Sequence, residues 1–240
     1  DFDNVGLMIG DREKDVKKIL LALDCTLKVI EEAKSENIDL IITHHPLIFR
    51  RPSNITTDTL QGKKIIELIK NDISLYSSHT NLDSVENGLN HTIVSMLGFE
   101  NSKILEKNKK DESAGLGRIV KLQEIITKED LVEKVKKSLK VNNLRVVKGN
   151  DNISKIAIIN GSGQDFISKA VSLGVDTIIT GDTTYHFASD YKEMGINIID
   201  VGHFGSEQIV FFFVMKKLKE KFDDVEFITS NVEVDPYNFY

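Results

Sequence analysis

The sequence predicts an α/β fold built from two copies of one strand–helix–strand unit, with mainly parallel sheets flanked by helices. Sliding the chain against itself by 137 residues aligns Lys18 to Thr43 with Lys155 to Thr180 without a gap, and nine of those 26 positions are identical. Unrelated segments would share about two. Both copies alternate short aliphatic runs with amphipathic stretches of helical period, the pattern of βαβ units. Histidines and carboxylates gather just after the aliphatic runs, where open α/β sheets collect their ligands.

In the first copy, Ile19 to Leu23 and Leu40 to Thr43 read as strands around a helix near Leu27 to Ser35. In the second, Ile156 to Ile159 and Thr177 to Thr180 bracket a helix near Gln164 to Leu173. Each copy continues through a helix (about Thr59 to Lys70; about Thr183 to Met194), an aliphatic strand (Ile73 to Ser77; Ile196 to Val201) and a further helix, which in the first copy is Glu86 to Leu97. The offset then changes, because His79 and Asp83 lie 124 residues before His203 and Glu207. The first copy therefore carries 13 extra residues, assigned to a loop from Pro46 to Asp58 by the turn signals Arg50-Arg51-Pro52-Ser53-Asn54. Between the copies, Gly115 to Leu122 and Leu144 to Val147 read as strands, and Thr127 with Asp130 makes a capping-box pattern that opens a helix from Lys128 to Lys140. The expected division is a first α/β repeat over residues 1–110 and a second over 111–240, with C-terminal elements from about 200 to 240 completing the site against the first.

With 40% hydrophobic residues among 240, the chain can bury sizeable cores. Its 31 basic and 37 acidic residues, a formal charge of -6, argue against a dedicated binder of nucleic acid or of anionic membranes. Cys25, the single cysteine, cannot form an internal disulfide. It reads as a small buried residue in a turn. The longest apolar run, Ile209 to Met215, has 7 residues, against the roughly 20 that a membrane span needs, and reads as a buried helix. A reduced, soluble, cytoplasmic protein is expected. The sequence opens at Asp1 without a methionine, so a trimmed or processed upstream segment is expected.

Five of the six histidines fall in four short motifs: Thr43-His44-His45-Pro46, Ser78-His79-Thr80-Asn81-Leu82-Asp83, Asp182-Thr183-Thr184-Tyr185-His186 and Gly202-His203-Phe204-Gly205-Ser206-Glu207. Neighbouring residues of an extended chain point to opposite sides, so His44 and His45 are expected to serve two metals a few ångströms apart. His203 and Glu207, four apart at a helix start, stack on one face and can share a cation, and Asp83 adds a second carboxylate. Three nitrogens and two carboxylates suit zinc, iron, manganese or cobalt better than magnesium or calcium. His79 and His186 are candidates for the general acid or base. His91 reads as a buried helix residue satisfied by a backbone carbonyl. Gly161-Ser162-Gly163, between a strand and a helix, offers backbone N–H groups to an anion.

These motifs, with Asp3-Asn4-Val5-Gly6-Leu7, Leu47-Ile48-Phe49, Gly115-Leu116-Gly117-Arg118, Thr180-Gly181-Asp182 and Asp235-Pro236, run in order along the chain. Together they resemble the GTP cyclohydrolase I type 2 family, also called the Nif-three-like or dinuclear metal centre family. The resemblance implies two intertwined α/β repeats, a pair of divalent metals in the cleft between them and a toroidal homohexamer. Its ligands correspond to His44, His45, Asp83, His203 and Glu207. The family's helix before Asp-Asn-Val-Gly-Leu is absent here, and its insert has no room between Gly98 and Lys155. The function expected is a dinuclear metal-dependent hydrolase of a small molecule, with nucleotides and phosphoesters as candidates. The family name implies hydrolytic opening of the GTP imidazole ring. A metal-dependent hexameric scaffold without catalysis, and metal storage or sensing, are the competing readings.

Overall fold

The computed structural model describes residues 3–239. The chain divides into two compact units, Asp1–Leu82 with Phe211–Pro236 and Asp83–Val210 with Tyr237–Tyr240. Residues 83–110 of the sequence-based first repeat thus fall in the second unit, because the elements they form pack there.

The first unit contains β1 (Gly6–Ile9), β2 (Lys18–Ala22), α1 (Leu27–Ser35), β3 (Leu40–Thr43), α2 (Leu60–Lys70) and β4 (Ser74–Ser77). Thr26 and Thr59 open the two helices, each side chain accepting a backbone N–H three residues on. The short helix α3 (Thr80–Ser84) follows, and β11 (Glu226–Thr229) joins from the C-terminal part. The sheet order is β1-β4-β3-β2-β11, with only β1 antiparallel to its neighbour. Leu20, Ile41 and Leu75 of the strands pack with Val29, Ile30, Ile65 and Leu68 of the helices.

The second unit contains α4 (Leu89–Met96), β5 (Lys103–Lys107), β6 (Gly115–Thr127), α5 (Lys128–Leu139), β7 (Arg145–Val147) and β8 (Asn152–Ser162). It continues through α6 (Ile167–Ser172), β9 (Thr177–Gly181), α7 (Tyr185–Glu193), β10 (Asn197–Asp200) and the start of α8 (His203–Lys219). The order is β5-β6-β8-β9-β10-β7, with β8-β9-β10 parallel and the outer pairings antiparallel. The fold is mixed α/β with two sheets and flanking helices; the mainly parallel character holds for the first sheet and for the central strands of the second. α4 packs on β6 and β8.

The duplication survives as geometry. Ile19 pairs Leu40 in the first sheet and Ile156 pairs Thr177 in the second, the same register shifted by 137. Asp39 accepts the N–H groups of Lys17 and Lys18, and Asp176 those of Ser154 and Lys155. Lys18 Nζ donates to Glu36 O as Lys155 Nζ does to Leu173 O. The repeat also reaches further than the sequence indicates, since antiparallel β1 on β4 corresponds to antiparallel β7 on β10.

The register refines the loop length. Thr43 pairs Ser77 and Thr180 pairs Asp200, an offset of 123 from Ser77 to Asp200. The first copy's connection is therefore 14 residues longer, and the second regains one between β10 and His203, at Gly202 with φ +77°. Residues 46–59 form neither helix nor strand, as expected of a loop.

Several sequence readings are corrected. The helix expected from Glu86 starts at Leu89, because Asn87 adopts φ +61° and Gly88 opens α4. The helix expected from Gln164 begins as a 3-10 turn over Gln164–Phe166. The apolar run Ile209 to Met215 is not buried all round: Val210, Phe211, Val214 and Met215 are covered, whereas Phe213 is 49% exposed. Among the described residues, no helix is long and apolar enough to cross a membrane.

Candidate metal centre

In the first unit, His44 and His45 extend the end of β3, their N–H groups donating to Ala22 O and Leu23 O. Thr43 Oγ1 donates to His45 O at 2.8 Å, turning the chain sharply after the strand. The two imidazoles consequently lie together, ring centroids 5.1 Å apart, rather than on opposite sides of an extended chain. His79 joins them, 5.2 Å from His44 and 5.7 Å from His45. One ligand atom from each of the three lies within 4.8 Å of the others, close enough to hold a metal ion. One metal could therefore be reached by both His44 and His45, which the geometry of an extended chain did not allow for. His44 is fully buried, with Phe211 packed 5.7 Å away.

Each ring is held from its Nδ1 side. His44 Nδ1 is 2.8 Å from Ser78 O, an acceptor, so Nδ1 carries the proton and Nε2 the lone pair. His45 Nδ1 donates to Asp24 Oδ1 at 3.0 Å and His79 Nδ1 to Asp3 Oδ1 at 2.9 Å. Burial pushes the Asp3 carboxyl up, but hydrogen bonds from Thr80 and His79 and the charge of His79 outweigh it and hold it below the usual aspartate value. A carboxylate or carbonyl on one imidazole nitrogen, which sets the tautomer and aims the other nitrogen, is the ordinary support of a metal-ligating histidine.

The second unit repeats the device. His203, at the start of α8, donates from Nδ1 to Asp182 Oδ2 at 2.7 Å, and its Nε2 lies 3.1 Å from Glu207 Oε2. Glu207 and Asp83 are both buried, and Asn160 Nδ2 donates to each at 2.9 Å. Asn160 is fixed in turn by Asn90, whose Nδ2 donates to Asn160 Oδ1 and whose Oδ1 accepts the Asn160 N–H. These imidazole and carboxylate donors fit a divalent transition metal, and the fixed tautomers fit it better than a packing role does.

The model of the Duf34/NIF3 (NGG1p interacting factor 3) family matches residues 1–236. The chain belongs to the NIF3 family. It is 60% identical to the GTP cyclohydrolase 1 type 2 homolog of Clostridium perfringens over 99% of this chain and 92% of that one. The homolog of Clostridium acetobutylicum is 51% identical over 100% and 91%. A Bacillus cereus protein related to NIF3 superimposes with a TM-score of 0.91 at 28% identity, covering 100% of this chain and 94% of that one.

Within this NIF3 chain the remaining candidates separate. His186 is exposed on the first turn of α7, with its ring against Tyr185, and belongs to no metal-capable cluster among the described residues. His91 is half-buried, and its Nδ1 accepts the N–H of Asn87 instead of bonding a carbonyl. Burial pushes the Cys25 thiol up to about 12, so it is a packed side chain and not a nucleophile. Gly161-Ser162-Gly163 is no anion cradle: Gly161 N–H donates to Ser206 Oγ and Gly163 N–H to Thr180 Oγ1. Gly161 instead makes room, since a Cβ there would lie 2.2 Å from Glu207 Oε1.

Asp3, Asp24, Asn160, Asp182 and Glu233, to which the sequence reading gave no individual role, hydrogen-bond to the candidate ligands or to the backbone beside them. Glu233 accepts the N–H groups of Leu23 and Asp24 at 2.7 and 2.8 Å, fixing the backbone that carries the partner of His45. Arg118, buried, donates to Gly115 O, Gly117 O, Ser84 O and Val85 O, pinning the chain just after Asp83.

Proposed function

We propose that the protein is a dinuclear metal-dependent hydrolase with His44, His45, Asp83, His203 and Glu207 as ligands. Four imidazoles, each with its Nδ1–H fixed on an acceptor, carry this reading. Zinc, iron, manganese or cobalt suits the donor set. When bound, such a pair supplies Lewis acidity and lowers the pKa of a coordinated water toward neutrality. The chain does the rest. Ser78, Asp24 and Asp182 keep the imidazoles in one tautomer, and Asn160 steadies both carboxylates. His79, braced by Asp3, takes or returns a proton at Nε2. No step of this chemistry is assigned to His186, which is exposed and outside the metal-capable groups of the described residues. The name shared by the relatives makes hydrolytic opening of the GTP imidazole ring the first reaction to test.

Protein loaded with each metal is to be assayed against GTP and a panel of phosphoesters. Turnover that disappears in His45→Ala and Glu207→Ala, with the circular dichroism spectrum unchanged, supports the hydrolase. Absence of turnover with every metal would favour a second reading, a metal-dependent homo-oligomeric scaffold such as a hexamer. That reading draws on Val234, Tyr237 and Phe239, 70%, 73% and 63% exposed, as apolar surface for a second copy.

A further inference from the structure

The extra loop of the first copy has no part in the chemistry above, yet it borders the histidine cluster. Leu47 and Ile48 pack against the core of the first unit, while Phe49 is 50% exposed. The Phe49 ring nonetheless stands edge-on to His79, centroids 6.4 Å apart at 87°. Its backbone is tethered on both preceding carbonyls: Gln61 Nε2 donates to Leu47 O, and Asn4 Nδ2 to Ile48 O. Phe49 is thus displayed by a fixed support and is not a loose loop tip.

Arg50 and Arg51 follow directly. Both are exposed, and neither has a hydrogen-bond or ion-pair partner among the described residues. An exposed phenyl ring next to two uncompensated guanidinium groups matches a ligand that combines a planar ring with negative charge. The second copy has no counterpart, because only residues 182–184 join β9 to α7 there. The arm belongs to the copy that carries the double histidine.

Resting on the metal reading above, we infer that Phe49, Arg50 and Arg51 form the substrate-recognition arm, and that the substrate class is a phosphorylated molecule with a planar heterocycle, as in a nucleotide. The heterocycle stacks on Phe49, the phosphates meet the two arginines, and the bound molecule lies against His79.

Calorimetric titration with GTP, ATP, ribose 5-phosphate and adenosine tests this on chelator-treated and on metal-loaded protein. Both nucleotides are expected to bind at least about tenfold more tightly than either fragment. Phe49→Ala should weaken nucleotides roughly tenfold and leave ribose 5-phosphate unchanged. Arg50→Gln/Arg51→Gln should weaken every phosphorylated ligand by at least about tenfold and flatten the salt dependence. Metal content should be unaffected in both variants. Wild-type affinity in both variants, or no nucleotide binding in either form of the protein, would overturn the arm. If nucleotides bind in this pattern to protein that takes up no metal, the arm stands and the hydrolase reading falls. If metal binds and nucleotides do not, the arm alone falls.

Discussion

At Gly161 the space for the Glu207 carboxylate, a proposed metal ligand, is set by a missing methyl group. A Cβ there would clash with Glu207 Oε1, and φ of +58° strains any other residue. Gly161→Ala should cost about 1–3 kcal/mol of stability and lower the metal content of the folded protein. A variant with wild-type melting and full metal would refute this role. Cys25 gives a chemical check: its thiol should resist alkylation in the native protein and react once urea unfolds it. Glu233 gives a pH check. Desolvation first, then the charges of Asp24 and Glu32, raise its pKa, and the N–H bonds from Asp24 and Leu23 only partly oppose them. Folding therefore favours the protonated acid, so the contribution is present below the ordinary glutamate range and is lost as pH rises through the raised value. The melting temperature of wild type minus that of Glu233→Gln, measured without metal, should fall as pH rises from that range toward neutrality; a rising difference would reverse the sign. The candidate ligands are legible in sequence because paired histidines and carboxylates stand out. Their supports are not, because Asn160 reaches Glu207 across 47 residues and Glu233 reaches Leu23 across 210, and no local pattern marks either.

Among the elements, those inside the duplicated unit are readable within a residue or two, since both hydrophobic period and self-comparison mark them. β1, β5 and β11 are not. They are short strands at sheet edges, where β5 buries only Leu105 fully and β11 buries none of its four residues fully, so no alternating pattern develops. Gly115-Leu116-Gly117-Arg118 belongs to this scale. The guanidinium joins the start of β6 to the end of α3 through four carbonyls, and burial lowers its pKa while Glu86 opposes that. A lysine ammonium cannot span both pairs. Arg118→Lys should lose roughly 2 kcal/mol in urea unfolding and, if Asp83 is a ligand as proposed, weaken metal binding. Wild-type stability would mean that the four bonds carry little.

For the molecule as a whole, one ancestral sheet module appears twice and has been finished differently. Each copy keeps an antiparallel edge strand and three parallel strands; the first adds β11 in parallel, the second β6 and β5 in antiparallel fashion. The ligand motifs diverged in step. His79 and Asp83 correspond to His203 and Glu207, but the position of His45 is taken by Asp182, which accepts the Nδ1–H of His203. On the proposed ligand set, a ligand and a brace occupy equivalent positions, so histidines alone do not reveal the division of labour. The most direct test is elemental analysis of protein purified without added metal and then saturated and desalted. About two transition-metal ions per chain are expected, falling in His45→Ala and in Glu207→Ala while the fold is retained. Metal near zero in saturated wild-type protein would contradict the dinuclear account.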